Sequence, residues 1–248
     1  MLHVAVLAPM PLELDAVVAA FGLEPSDGGG ASWTGRVGRS TVTALRTGMG
    51  PDRARKMTDR VLDLDGLDRD GRVGPPVDHV MVVGICGGLD PDIPVGTVLR
   101  PDVVVDHATG ARFHHTPPGD GPTSGGIVTT EGVDFDDGLS RALAARGFTG
   151  VDMESAAVAG ACEARGRPWT VHRCISDRYV DRLLDLRIVA LTDADGDVDV
   201  DAVVRLLEDE PELGPRLERL GRDAAEAARL AAEDALAACV ALDRADPA

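Results

Sequence analysis

Lysine is almost missing from this 248-residue chain: Lys56 is the only one, and arginine supplies the other basic residues. The 25 basic side chains stand against 42 acids and leave a net charge of −17. A surface of that sign repels phosphate backbones, which excludes nucleic-acid binding as the main task. No stretch approaches the ~20 consecutive apolar residues of a membrane span. Met1 runs straight into an alternating apolar segment, with no basic region or small-residue cleavage site, so no secretion signal is expected. The four cysteines, Cys86, Cys162, Cys174 and Cys239, form no CxxC pair and read as reduced, buried thiols of a cytoplasmic protein. No repeat and no linker divides the sequence. One domain over residues 1–248 is expected, with a helical extension at about 198–244.

What is present is an alternation of short apolar runs with helical segments. His3–Ala8 reads as a buried first strand, Leu12–Phe21 as a helix ending at Gly22, and Ala31–Val37 and Ser40–Thr47 as two strands joined at Gly38-Arg39. Asp52–Leu64 has helical character behind Pro51, and Asp65–Pro76 reads as a surface loop. The Val-rich run His79–Val83 predicts a strand covered on both faces, leading into a glycine loop at Gly84–Gly88. Two strand segments broken by Pro101 follow within Val95–Asp106, then a loop at Gly110–Ser124. Gly126–Thr130 and Gly150–Asp152 are short strands, Met153–Arg165 a helix, Trp169–Ile175 a further strand, and Gly214 to about Leu242 a long amphipathic helix. The alternation predicts an α/β fold: a central mixed sheet flanked by helices, with the site at the carboxyl ends of strands.

Three acids stand at such strand ends: Glu13, Glu154 and Asp177. Each alone reads as a helix cap, since an acid in the first turn offsets the helix dipole by ~0.3–1 kcal/mol. Together they point to one face of the sheet, where carboxylates serve acid–base work. The polar run Asp193–Asp199 lacks the spacing and terminal Glu of a calcium loop. The adjacent His114 and His115 cannot easily point at one ion and read as a surface loop near the mouth of the site. Cys86 has no histidine at a recognisable triad position, so nucleophilic catalysis by it is not expected. No metal and no cofactor is implied.

In Val151–Asp177 the segment VDMESAAVA is followed by an apolar strand ending in RCISD. The motifs VGICGGL at Val83–Leu89, PVGTV at Pro94–Val98, APMPLEL at Ala8–Leu14 and TGMG at Thr47–Gly50 precede it. With these motifs the chain resembles the purine and uridine phosphorylase superfamily, and within it the 5′-methylthioadenosine/S-adenosylhomocysteine nucleosidases. The resemblance covers most of Met1–Asp177. It implies a single-domain, three-layer nucleoside phosphorylase-like sandwich that hydrolyses the N-glycosidic bond of an adenine-type nucleoside. It also implies a homo-oligomer of dimer size or larger. Asp177 would protonate the departing base, Glu13 would accept a proton from the attacking water, and Arg173 would help hold that water and Glu154. Glu154 would bind the ribose hydroxyls with Met153 beneath the sugar. Ile85, Cys86 and Gly87 of the glycine segment, Met49, Ser176 and Val133 would complete the substrate site. Val133 stands where the family usually has an aromatic ring on the base, with Phe135 two residues on.

Water and phosphate are the competing nucleophiles. The phosphorylases carry a Gly-Asp-Pro-x-Arg segment after the first strand, whereas this chain has Pro9-Met10-Pro11-Leu12-Glu13, and it has Val82 and Ile85 where an arginine and a hydroxyl would serve phosphate. A phosphate dianion would meet an acid and aliphatic groups instead of a cationic clamp, which favours hydrolysis. Arg46 remains a possible cation. The closing helix also resembles that of phosphorylase-like relatives associated with hopanoid synthesis, which act on an adenosyl lipid. A phosphorylase, or a non-catalytic nucleoside-binding relative, are the alternatives.

Overall fold

The computed structural model describes residues 1–26, 32–63, 76–115, 125–133 and 138–245. The chain opens with β1 (His3–Ala8), α1 (Pro11–Phe21), β2 (Glu24–Pro25), β3 (Ser32–Val37), β4 (Ser40–Arg46) and α2 (Pro51–Asp63). Then come β5 (His79–Gly88), β6 (Val98–Leu99), β7 (Val103–Asp106), β8 (Arg112–Phe113), β9 (Gly126–Thr129) and α3 (Gly138–Ala145). The rest is β10 (Phe148–Asp152), α4 (Ser155–Glu163), β11 (Trp169–Arg178), α5 (Leu186–Val189), α6 (Val200–Asp209) and α7 (Gly214–Ala245). The expected loop at Asp65–Pro76 lies almost wholly outside the described residues, as does Phe135.

The strands form one mixed sheet in the order β2-β3-β4-β1-β5-β10-β9-β7-β8, with β11 and β6 branching from β5. Strand alternation builds three layers from β1 alone. Val4, Val6 and Ala8 pack with α1 and α7, while Ala5 and Leu7 pack with α2 and α4. The stripe Ala227, Ala228, Ala231, Ala232, Ala235, Ala238 and Cys239 of α7 is buried. Residues that small let the helix axis approach the sheet closely, which is how a 32-residue helix carrying many charged side chains still joins the core. No helix among the described residues is long and apolar enough to cross a membrane.

The branch at β5 creates the site. β1 pairs with β5 in parallel only from Val4↔His79 to Leu7↔Val82, and antiparallel β10 takes over at Val151↔Gly87 and Gly150↔Gly88. Between them one edge of β5 has no neighbour among the described strands. β11 runs parallel along the other edge, with Arg173 opposite Gly84 and Asp177 opposite Gly87. The expected glycine loop is therefore a correction: Gly84–Gly88 continues β5 as strand. Its glycines remove side chains where neighbouring acids approach. A second correction concerns His115. Its ring lies against Trp169, with centroids 4.7 Å apart, at the start of β11 and the end of the sheet away from Asp177.

Candidate active site

Arg173 is the centre of the arrangement. It is 0% exposed, and its guanidinium is surrounded by the carboxylates of Glu13, Asp152 and Glu154, themselves 1%, 6% and 5% exposed. Nη1 donates to Glu13 Oε1 at 3.3 Å, Nε to Asp152 Oδ2 at 3.0 Å, and Nη2 to Glu154 Oε2 at 2.8 Å. Burial opposes the charge on Arg173, but Asp152, Glu154 and Glu13 outweigh it and raise its pKa. Charges so buried persist only when paired and hydrogen-bonded, and here all are.

Glu13 serves two structures at once. Oε2 accepts from the backbone N–H of Met10 at 2.8 Å, closing the first turn of α1. Oε1 accepts from the N–H of Ile85 at 2.7 Å, in the stretch of β5 that lies between β1 and β10. A buried strand N–H without a strand partner needs an acceptor, and the side chain supplies it. Burial, then repulsion from Glu154, push the Glu13 pKa up to about 7, against Arg173 and the two N–H donors. Gly84 makes the approach possible: a Cβ there would sit 2.0 Å from Glu13 Oε1.

Glu154 and Met153 lie in the bend between β10 and α4, whose first residue is Ser155, later than the expected start at Met153. Glu154 occupies the N-cap position but makes no side-chain cap bond. Its Oε1 accepts instead from the N–H of Gly50 at 2.8 Å, tying the Thr47–Gly50 turn to the acid cluster. Burial, with Asp152 adding, raises its pKa. Met49, beside that turn's Gly50, is half-buried and donates its N–H to Ala194 O at 2.9 Å.

Asp177 stands apart from the guanidinium. Ser176 Oγ donates to its Oδ1 at 2.7 Å, and its Oδ2 faces Gly87, where a Cβ would lie 4.0 Å away. Burial raises the Asp177 pKa, offset by the Ser176 hydroxyl and reinforced by Asp181. Glu13 meets β5 at Gly84–Ile85 and Asp177 meets it at Gly87. Two to three residues of strand separate them, roughly 10 Å at most, about the span of a ribose with its base.

The remaining expected residues divide. The Ile85 side chain packs on the α1–α7 core, so only its backbone faces Glu13. Cys86 is buried in the opposite core, and burial lifts its thiol well above the ordinary range, leaving it inert. Val133 is exposed at the end of a described segment whose Thr130 N–H donates to Asp152 O at 2.9 Å. Asp152 was not singled out by the sequence. It receives Arg173, Thr129 Oγ1 at 2.6 Å, the Ser155 N–H at 3.1 Å and the Ser155 hydroxyl. Its signal was present: with Phe148 and Gly150 it shares the buried face of β10, where an acid requires partners. Arg46, the possible cation, points outward, 3.0 Å from Asp197 and beside a cleft of about 190 Å³ lined by Pro11, Leu14, Asp15 and Trp33.

The sequence profile of the phosphorylase superfamily matches residues 3–145. No curated protein matches the chain. Among solved structures, the Helicobacter pylori 5′-methylthioadenosine/S-adenosylhomocysteine nucleosidase holding 5′-methylthioadenosine is similar over 96% of this chain and 98% of its own, with a TM-score of 0.69 at 15% identity. The Streptococcus pyogenes S-adenosylhomocysteine nucleosidase gives 0.67 at 16% identity over 96% of both chains. A futalosine hydrolase of Helicobacter pylori gives 0.68 at 15% identity over 98% of both. At such identities the likeness is one of fold.

Proposed function

Since this chain belongs to the phosphorylase superfamily, we propose that it is a nucleosidase, hydrolysing the N-glycosidic bond of a purine nucleoside of the adenine type, such as 5′-methylthioadenosine or S-adenosylhomocysteine. One observation carries the choice of water over phosphate. Every nitrogen of Arg173, the cation at the heart of the cluster, is already committed to Glu13, Asp152 or Glu154. A phosphate dianion there would meet carboxylates without a free cationic partner. A water molecule asks only for a base, and Glu13 has one with its pKa near neutrality.

In this reading each acid has one role. Asp177, with its pKa raised, holds a proton for the departing base, and Ser176 orients its carboxyl. As the glycosidic bond breaks, positive charge grows on the ribose, where anionic Glu154 both binds hydroxyls and stabilises the developing cation. Glu13 takes the proton of the attacking water, whose oxygen joins the anomeric carbon. Met153, Met49, Gly87 and the Ile85 backbone line the sugar. The products are free base and ribose with its 5′ group.

The test is release of free base from adenine, hypoxanthine and uracil nucleosides, with and without phosphate. Base release that is independent of phosphate is expected. Release only with phosphate, giving a sugar 1-phosphate, would overturn the hydrolytic reading.

A further inference from the structure

Asp152 takes no part in the acid–base steps, yet it holds more of Arg173 than Glu13 or Glu154 does. Its Oδ2 lies 3.0 Å from Nε and 2.9 Å from Nη2 of the guanidinium. Those two nitrogens share one edge of the planar fork, so an oxygen facing both fixes the plane of the group. Nη2 also reaches Glu154 at 2.8 Å. Nη1 alone is left for Glu13, and its contact of 3.3 Å is the longest of the set.

Asp152 is itself firmly held. Thr129 Oγ1 of β9 donates to its Oδ1 at 2.6 Å, the Ser155 N–H reaches its Oδ2 at 3.1 Å, and the Ser155 hydroxyl donates to the same oxygen. Thr129 Oγ1 in turn receives the Ala156 N–H at 2.9 Å. The carboxylate is thus built into the joint of β9, β10 and α4. Capping of α4 accounts for the bonds from Ser155 but not for two nitrogens of a buried arginine.

We propose that Asp152 is a positioning residue for the reaction: by holding Arg173 along its Nε–Nη2 edge, it keeps the guanidinium from closing on Glu13 and leaves that carboxylate free to take up a proton. The inference rests on the nucleosidase reading, in which Glu13 is the base. The charged groups around Glu13 are Arg173 of β11, Glu154 before α4 and, across the guanidinium, Asp152 of β10. Cys86 of β5 adds a thiol near Arg173 that burial keeps neutral. An Arg173 paired with Glu13 alone would keep it ionised well into acid pH. Shared among three carboxylates, the same charge pulls less on each, and the burial of Glu13 prevails, in keeping with its pKa of about 7. A carboxylate held too firmly in its charged form is a poor base at neutral pH.

The experiment reads Glu13 directly, by carbon-13 NMR of its carboxyl in wild type and in Asp152→Asn, with Glu13→Gln to identify the signal. The pH profile of kcat/KM for 5′-methylthioadenosine is taken alongside. Asn has the shape of Asp, and circular dichroism checks the fold. In the variant the Glu13 midpoint and the acid limb of the profile are both expected to fall by about one pH unit or more. Wild type alone gives a second reading that no folding defect can spoil: the Arg173 Nε–H resonance should keep its place while Glu13 titrates, because Asp152 holds that nitrogen. A Glu13 midpoint unchanged in the folded variant, even with a lower rate at every pH, overturns the positioning role and leaves Asp152 a structural acid. An Nε–H signal that moves with Glu13 in wild type overturns it as well. A midpoint that falls as expected in a protein whose wild type releases no base from any nucleoside overturns the nucleosidase reading, while the hold of Asp152 on Glu13 through Arg173 stands.

Discussion

At Glu13 one carboxylate is held by two backbone N–H groups and a guanidinium, all of which favour its charge, while complete burial and Glu154 disfavour it. The balance near 7 suits a base working at neutral pH. In the proposed role of base it would act only when ionised, so kcat/KM is expected to fall about tenfold per pH unit below 7, and Glu13→Gln should lose both that limb and about 10²–10⁴ in kcat. Affinity for a non-hydrolysable nucleoside analogue should change little. Equal losses in turnover and affinity would make Glu13 a structural residue. Asp177→Asn is expected to abolish base release with folding intact; a folded, active Asn variant would remove the acid role. These acids could be picked out because glycines and strand ends surround them. The helix-cap reading of Glu154 fails because its bend turns the carboxylate toward Arg173. Asp152 was hidden by its neighbours: between Val151 and Met153 it reads as the end of a strand, and only the guanidinium 21 positions later shows why an acid is buried there.

The decisive element is β5, which loses β1 at Val82 and gains β10 at Gly87. Sequence pattern finds the Val-rich half and stops, because glycine weakens any strand signal. What sustains the glycine half is pairing with β11 along its other edge, which no local pattern reports. The same gap lets Glu13, which accepts the Ile85 N–H there, serve the fold as well as its proposed role as base. Gly84→Ala tests this. Its Cβ would fall 2.0 Å from Glu13 Oε1 and 2.6 Å from Arg173 Nη1, so the carboxylate must move. Base release should drop at least a hundredfold while the far-ultraviolet circular dichroism stays that of wild type. Wild-type turnover in the folded variant would show that the position of Glu13 against β5 does not matter. The long closing helix was legible because its alanine stripe repeats with helical spacing.

Across the whole molecule the two ends of the sheet are chemically different. Acids gather at the carboxyl ends of β5 and β11, with Glu13 of α1 on the first and Asp177 in the second, while buried histidines stand earlier in both strands, His79 and His172. His79 Nε2 shares Thr170 Oγ1 with His172, whose Nδ1 meets Asp234 of α7 at 2.7 Å, and Arg100 pairs with the same Asp234. His115 stacks on Trp169 nearby. Burial, then the neighbouring histidines, lower the His79 pKa to about 4; burial, then His172, do the same for His115, partly offset by Asp102. Between about pH 6.5 and 4 the unfolded chain binds protons at these two positions that the folded one refuses. Their contribution to stability is therefore complete above pH 6.5 and lost as pH falls through that window. Glu13 acts in the opposite sense: with its pKa raised, its contribution is present below about pH 4.5 and lost as pH rises through 7. The total stability is thus a poor readout, and a difference between proteins is needed. His79→Gln keeps a partner for Thr170 and removes one titration. Denaturant unfolding of wild type and this variant at pH 7 and pH 5 should show wild type losing roughly 2 kcal/mol more than the variant over that interval. Equal losses would mean that His79 titrates alike in the folded and unfolded chains, and that the amino-terminal end of the sheet is open to protons.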